Sequence, residues 1–398
     1  LTAPAQMADP ERNFTLSPAD IAAINPNTKT APVFRSRLDA ELTAKIYSRA
    51  PVLVQEGVGF DSNFWLFDYA TKLFDMADDS PIFRTAELLS NNGYTLHNFL
   101  WEGPPPKIEQ YTPLYEAKMI HQYDHRWATY VGHDDVRDLT NDEKADPSVG
   151  VNPRYWVERA EVDKALTRTD KAGNVLWQWE HGWLLGWRDI ARATDERTAI
   201  FSVLPRVGMG DPVLLMFPSA NLAGRTPLLV GSANSLVYDF ASRQKVGGTH
   251  FKFFTMRQTP VLPPSAYTPA DLDFIVPRVV ELVYTAHDVA AFAEDVVTEV
   301  GATQWTAWFP DHPLVDGKPQ PFRWDPERRA VLRAELDAYY AKLYGLTRDE
   351  LRYILDPQDV YGPDFPGETF RVLKERELRD YGEYRTRRLV LEAWDRQN

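Results

Sequence analysis

The sequence predicts an α+β chain in which a mixed α/β block precedes a mainly helical C-terminal subdomain. Runs such as 198–203 and 251–254 have the β-branched and aromatic character of strands and are set apart by Gly and Pro. After Val261-Leu262-Pro263-Pro264 the pattern changes to capped helices. Of the 398 residues 44% are hydrophobic and 12 are Trp, enough apolar surface for substantial cores.

In chain order, Ser17-Pro18 is a cap followed by a first-turn proline. Ser36 caps a helix over 37–47 in which Leu38, Leu42 and Ile46 recur every fourth residue until Pro51. Val52-Leu53-Val54 reads as a short buried strand. In the middle block, 234–245 places Leu236, Val237, Phe240 and Ala241 on one helical face, with Gly247-Gly248 as its stop. Thr268-Pro269 opens the first helix of the tail. Asp325-Pro326 opens a longer one with Leu332, Leu336, Tyr340 and Leu343 in register, closed by Gly345. Thr347 with Glu350 forms a capping box for the next, which Pro357 ends, and a last helix pair surrounds Gly382. The Pro-rich stretch 260–269 is the preferred boundary and 101–106 a looser one. The expected segments are therefore 1–110, a linker and mixed segment, 111–265, the α/β block, and 266–398, the helical subdomain.

Composition excludes several kinds of chemistry. Without Cys there is no disulfide scaffold, thiolate–zinc site, iron–sulfur cluster or Cys nucleophile. The net charge of -13 argues against indiscriminate nucleic-acid binding but leaves room for a local basic groove. No apolar run approaches the roughly 18 residues of a membrane helix, so no membrane partner is expected. Residues 1–13 lack the basic and apolar regions of a secretory signal. The start at Leu1 suggests a piece excised from a longer protein.

The densest polar and aromatic group lies between Tyr115 and Trp127. As a metal site, His121 and His125 at i and i+4 on a helix would face one ion, with Asp124 or His133 as further ligands, but Gln122 stands where a catalytic Glu belongs. As a nuclease, Glu116 and Lys118 would hold magnesium and orient water, although no second carboxylate precedes them at an obvious strand end. The third reading, which we prefer, is a structural junction between the N-terminal segment and the middle block. Glu116, Lys118, His121, Asp124, His125 and Arg126 alternate in sign and satisfy one another, while Tyr115, Tyr123 and Trp127 supply packing. No metal is expected.

The stretch YTPLYEAKMIHQYDHRWATY at 111–130 resembles the segment that opens the target-recognition region of large adenine-specific DNA methyltransferases of type II and phage-defence restriction–modification systems. GWRDIARATDERTAI (186–200), NSLVYDFASRQKVGGTHFKFFTMRQTPVLPP (234–264), LDAYYAKLYGLTRDELRYILDP (336–357) and ETFRVLKERELRDYGEYRTRRLVLEAWD (368–395) resemble the same proteins in the same order. Upstream, INPNTKTAPVFRSRLDAELTAKIY (24–47) is similar to the linker that follows their catalytic domain. Such enzymes need an Asn/Asp-Pro-Pro-aromatic loop for the flipped base and a Gly-rich turn for S-adenosylmethionine. Asn25-Pro26-Asn27, Asn152-Pro153-Arg154-Tyr155 and Gly208-Met209-Gly210 fall short of both and read as turns.

The resemblance implies a specificity half without the methyl-transferring half: sequence-specific recognition of double-stranded DNA, no cofactor or catalytic residue in this chain, and S-adenosylmethionine bound by the catalytic domain of the parent chain. It also implies a bacterial cytoplasmic location and other defence-system subunits as further partners. The alternatives are a module docking onto a helicase or nuclease of a defence system and, third, the metal-dependent nuclease. Nine Arg/Lys against five Asp/Glu over 181–260 form a locally positive block. The expected DNA contacts are Arg188, Arg192, Arg197, Arg243, Gln244, Lys245, Gly247, Gly248, His250 and Lys252. In the last helix Arg385, Arg387 and Arg388 lie within one turn and are expected to clamp DNA or the catalytic domain.

Overall fold

The computed structural model describes residues 8, 10, 13–32, 34–57, 63–106, 108–132, 134–219, 224–365 and 369–397. It is α+β with a helical C-terminal region, as the sequence predicts. Four antiparallel strands form one sheet in the order Phe67–Ala70, Val213–Pro218, Trp183–Arg188, Phe201–Pro205. Val213–Pro218 is apolar at every position because both of its faces are covered. A second sheet centres on Gln110–Tyr115, which pairs antiparallel with Leu100–Glu102 and Tyr155–Glu158 and parallel with Gly208–Met209. A Cβ on Gly208 would sit 2.5 Å from Val157 Cγ1 and 2.9 Å from Leu114 Cδ1, so Gly208 serves close strand packing.

The capped helices stand where the sequence puts them. Ser17 and Ser36 cap Pro18–Ile24 and Arg37–Arg49. Thr268 caps Pro269–Val283, Asp325 caps Pro326–Leu343, and the Thr347–Glu350 box opens Arg348–Leu355. Gly382, at φ +74, turns the chain between Arg371–Tyr381 and Arg385–Arg396, a left-handed conformation that Gly adopts without a Cβ clash.

Two expectations change and one is refined. Val52 makes only an isolated bridge, to Pro260, in place of a strand. The run 251–254 becomes the short helix Phe253–Met256: Phe253 and Met256, three apart, are buried on one face while Phe254 points outward, a helical spacing that overrides the aromatic strand signal. The helix expected over 234–245 is present as Leu236–Arg243, preceded by a further helix, Thr226–Asn234, because Ser235 leaves helical geometry and caps the second through the Tyr238 N–H.

The Pro-rich boundary is interior. Val261 and Leu262 are buried, the Trp65 indole N–H donates to the Leu262 carbonyl, and the Tyr344 hydroxyl donates to that of Pro260. Prolines lack an N–H, so this connector can be buried with fewer donors to satisfy. The N-terminal helix joins the same core: Leu42 and Ile46 belong to one cluster with Leu332 and Trp394. Polar contacts join the same elements: Lys45 pairs with Glu350 at 2.6 Å and the Tyr353 hydroxyl donates to Asp39 at 3.0 Å. No helix among the described residues is long and apolar enough to cross a membrane.

Candidate functional site

The 115–127 segment holds only a short 3-10 turn, Ala117–Met119, and no helix over His121–His125. The backbones of His121 and Asp124 bridge each other and Tyr123 takes φ +58, so His121 and His125 diverge. His121 stacks on Trp127 with ring centroids 4.3 Å apart, while His125 Nε2 meets Asp288 at 2.7 Å. His133 lies outside the described residues. Glu116 and Lys118 share the Tyr130 hydroxyl at 2.7 and 2.9 Å and pair with each other at 3.2 Å.

Arg126, fully buried, donates to the carbonyls of Lys144, Asp146, Val149 and Thr285. Asp124 pairs with Lys144 at 2.7 Å, and the Lys144 ammonium lies between the rings of Trp127 and Trp324, 4.8 and 4.6 Å from their centroids. The cluster is thus tied to 144–149 and to the turn at 285–288, which leads into the helical tail. Its far contacts therefore run toward the C-terminal region, where the sequence reading placed the junction on the N-terminal side.

The expected DNA contacts divide into two sets. In the first, the cation is engaged by other groups of the fold, buried ones in the middle block and partly or fully exposed carboxylates in the tail. Arg243 pairs with Asp239 at 2.7 Å and donates to the carbonyls of Ala193, Asp195, Glu196 and Thr369. Lys245 donates to the Ile24 carbonyl and to Asn25 Oδ1 and faces the Tyr47 ring; burial pushes its ammonium down to about 7. Arg188 donates to the Ala117 carbonyl, and Arg197 to Gln122 Oε1 and the Asn234 carbonyl. In the tail, Arg385 pairs with Glu327, Arg387 with Asp359, and Arg388 with Glu383 and Glu392. The positive block of the sequence is in large part consumed internally, because buried carbonyls and carboxylates need donors.

The second set is on the surface. Arg192, Gly247, Gly248, His250 and Lys252 are exposed, and Gln244 is half-buried beside them. Among the described residues the side chains of Arg192 and Lys252 have no hydrogen-bond or ion-pair partner. His250 Nδ1 meets Asp189 at 2.9 Å, and its backbone bridges Ile190, which joins the loop to the end of the first sheet. Tyr69 stacks on Phe253 at 3.7 Å below it, while Phe254 and Ile190 stay exposed. Neither Gly247 nor Gly248 has positive φ, and a Cβ on either would meet nothing within 4 Å. Nothing inside the described fold requires glycine there.

A cleft of about 270 Å³ between the middle block and the tail gathers residues far apart in sequence: Arg197, Arg329, Arg333, Arg376, Asp337 and Trp324. Arg329 lies over the Trp324 ring at 3.8 Å and donates to the carbonyls of Leu282 and Tyr123, and Arg376 pairs with Glu196 at 3.0 Å. Burial, followed by the neighbouring Arg197, lowers the pKa of Arg333. Burial and the Arg188 and Arg333 charges hold His121 well below its ordinary value. Sequence reasoning missed Arg329, Arg333 and Arg376, which look like ordinary charged helix positions until the tail folds over Arg197.

Comparison with models of known protein families gives no match, and neither does comparison with curated proteins.

Proposed function

We propose that this chain recognises double-stranded DNA as the specificity region of an adenine-specific DNA methyltransferase, whose catalytic domain binds S-adenosylmethionine and receives the flipped adenine. The observation that carries the reading is the loop 247–252, exposed except at the buried Phe251. Two glycines that the described fold does not need leave room for a phosphate backbone to approach closely, with the unpaired cations of Arg192 and Lys252 beside them. Gln244 and His250 are placed on the same rim, where an amide or imidazole can meet a base edge.

Binding to random-sequence duplex at two salt concentrations tests this. The pair Arg192→Ala and Lys252→Ala should weaken binding to all sequences alike and lower the salt slope by about one for each phosphate that is no longer neutralised. Absence of duplex binding, or an unchanged slope, overturns the proposal. The exposed Phe254 and Ile190 favour a second reading, a surface that docks a helicase or nuclease subunit. Duplex binding without a salt slope would point there.

A further inference from the structure

The inner end of the cleft holds two guanidinium groups with donors to spare: Arg333, and Arg197 beyond its bonds to Gln122 Oε1 and the Asn234 carbonyl. Among the described residues Arg333 makes no hydrogen bond and no ion pair. Arg197 has 8% of its side chain exposed, and its Nη1 has no hydrogen-bond partner. The nearest carboxylate oxygens to Arg197 belong to Asp239 and Asp337, each 3.9 Å away. Asp239 is already bound by Arg243 at 2.7 Å, so the two guanidinium groups face one unshared carboxylate, Asp337, which itself accepts the Leu236 N–H. The other acids of the cleft are occupied: Asp124 by Lys144, Glu196 by Arg376, Asp380 by Arg379, and Glu377 by the Thr386 N–H and hydroxyl. Arg333 is half-buried and the carboxylates nearest the buried Arg197 stand 3.9 Å off, so donors of both remain for a ligand, and a tetrahedral oxyanion meets planar guanidinium donors with short, charge-assisted bonds.

We propose that this cleft binds a phosphate group between Arg333 and Arg197, with Trp324 and Arg329 forming its wall. The position differs from the exposed loop to which DNA recognition is assigned above, so either assignment can fail alone. The phosphate could belong to the DNA backbone or to a small phosphate ligand, and two measurements separate these sources.

Inorganic phosphate titrated into the full chain at constant ionic strength, with chloride as the control anion, should raise the thermal midpoint and give a saturable binding heat. Arg333→Gln should weaken this about tenfold or more, as removal of a charge-assisted hydrogen bond does. Lys252→Ala should leave it unchanged. If the group comes from DNA, Arg333→Gln also lowers duplex affinity and its salt slope by about one, and free phosphate competes with duplex. If it comes from a small ligand, Arg333→Gln leaves duplex binding intact. Arg333→Lys, which retains the charge, serves should the Gln variant fold poorly, and it should bind phosphate more weakly than the parent. No phosphate-dependent stabilisation and no binding heat in the parent chain would overturn the proposal.

Discussion

Replacing Arg243 by Ala tests whether a basic residue that looks like a helix-end phosphate ligand is a structural strut. Its guanidinium makes five hydrogen bonds, one to Asp239 and four to the carbonyls of Ala193, Asp195, Glu196 and Thr369, and it lies over the Phe370 ring at 4.6 Å. The truncation leaves the fully buried Asp239 carboxylate with the N–H groups of Thr198 and Ala199 and the more distant Arg197 guanidinium at 3.9 Å. Breaking one side of a buried pair costs about 3–5 kcal/mol, and the orphaned carbonyls keep the value toward the upper end unless water enters. Urea unfolding followed by Trp fluorescence should show that loss as a lower midpoint at constant slope, while Lys252→Ala stays within about 0.5 kcal/mol of the parent. An Arg243→Ala protein of parental stability but weakened duplex binding would refute the reasoning and return Arg243 to the DNA-facing set.

Burial holds the Asp337 carboxyl up to about 6 against an ordinary 3.8. The folded state therefore binds that proton more tightly, and the associated stability is complete below about pH 3.8 and lost as pH rises through 6. Asp337→Asn should then gain about 3 kcal/mol relative to the parent at pH 7 but little at pH 4, checked by unfolding at both; a loss at pH 7 would mean that the carboxylate is needed against Arg197 and Arg333. Arg126→Met should cost about 3–5 kcal/mol, read as a fall in the urea midpoint, since it removes the donor from four carbonyls at once. Arg388→Gln breaks only exposed pairs and should change stability by less than about 1 kcal/mol, measured by the same unfolding curves.

The helices of the tail were legible because their start signals are local: Thr268-Pro269, Asp325-Pro326 and Thr347 with Glu350 each act within one turn. The short strands Phe67–Ala70 and Leu100–Glu102 were not, since three or four residues carry too little alternation to be read without their partners. The site divides along the same line. Exposure of Lys252 and Gly247 was anticipated by a Gly-rich loop after a helix. The burial of Arg243 could not be, because a basic residue in a last turn looks the same whether it faces water or, as here, carbonyls from residues 193–196 and 369. Arg333 becomes conspicuous only through the partner it lacks, a property of the assembled cleft.

The buried connector at 260–264 bears on how such a chain can be reshaped by recombination. With Leu262 holding the Trp65 indole and Pro260 the Tyr344 hydroxyl, a crossover near residue 265 would bring together halves whose interlocking surfaces had never been matched. Gly247 and Gly248 on the rim, by contrast, have open space around them, although the neighbouring Thr249, His250 and Phe251 are bonded to 187–191. Point changes there can accumulate without disturbing the interior, so new preferences for a partner should arise by drift along this rim more readily than by exchange of whole segments.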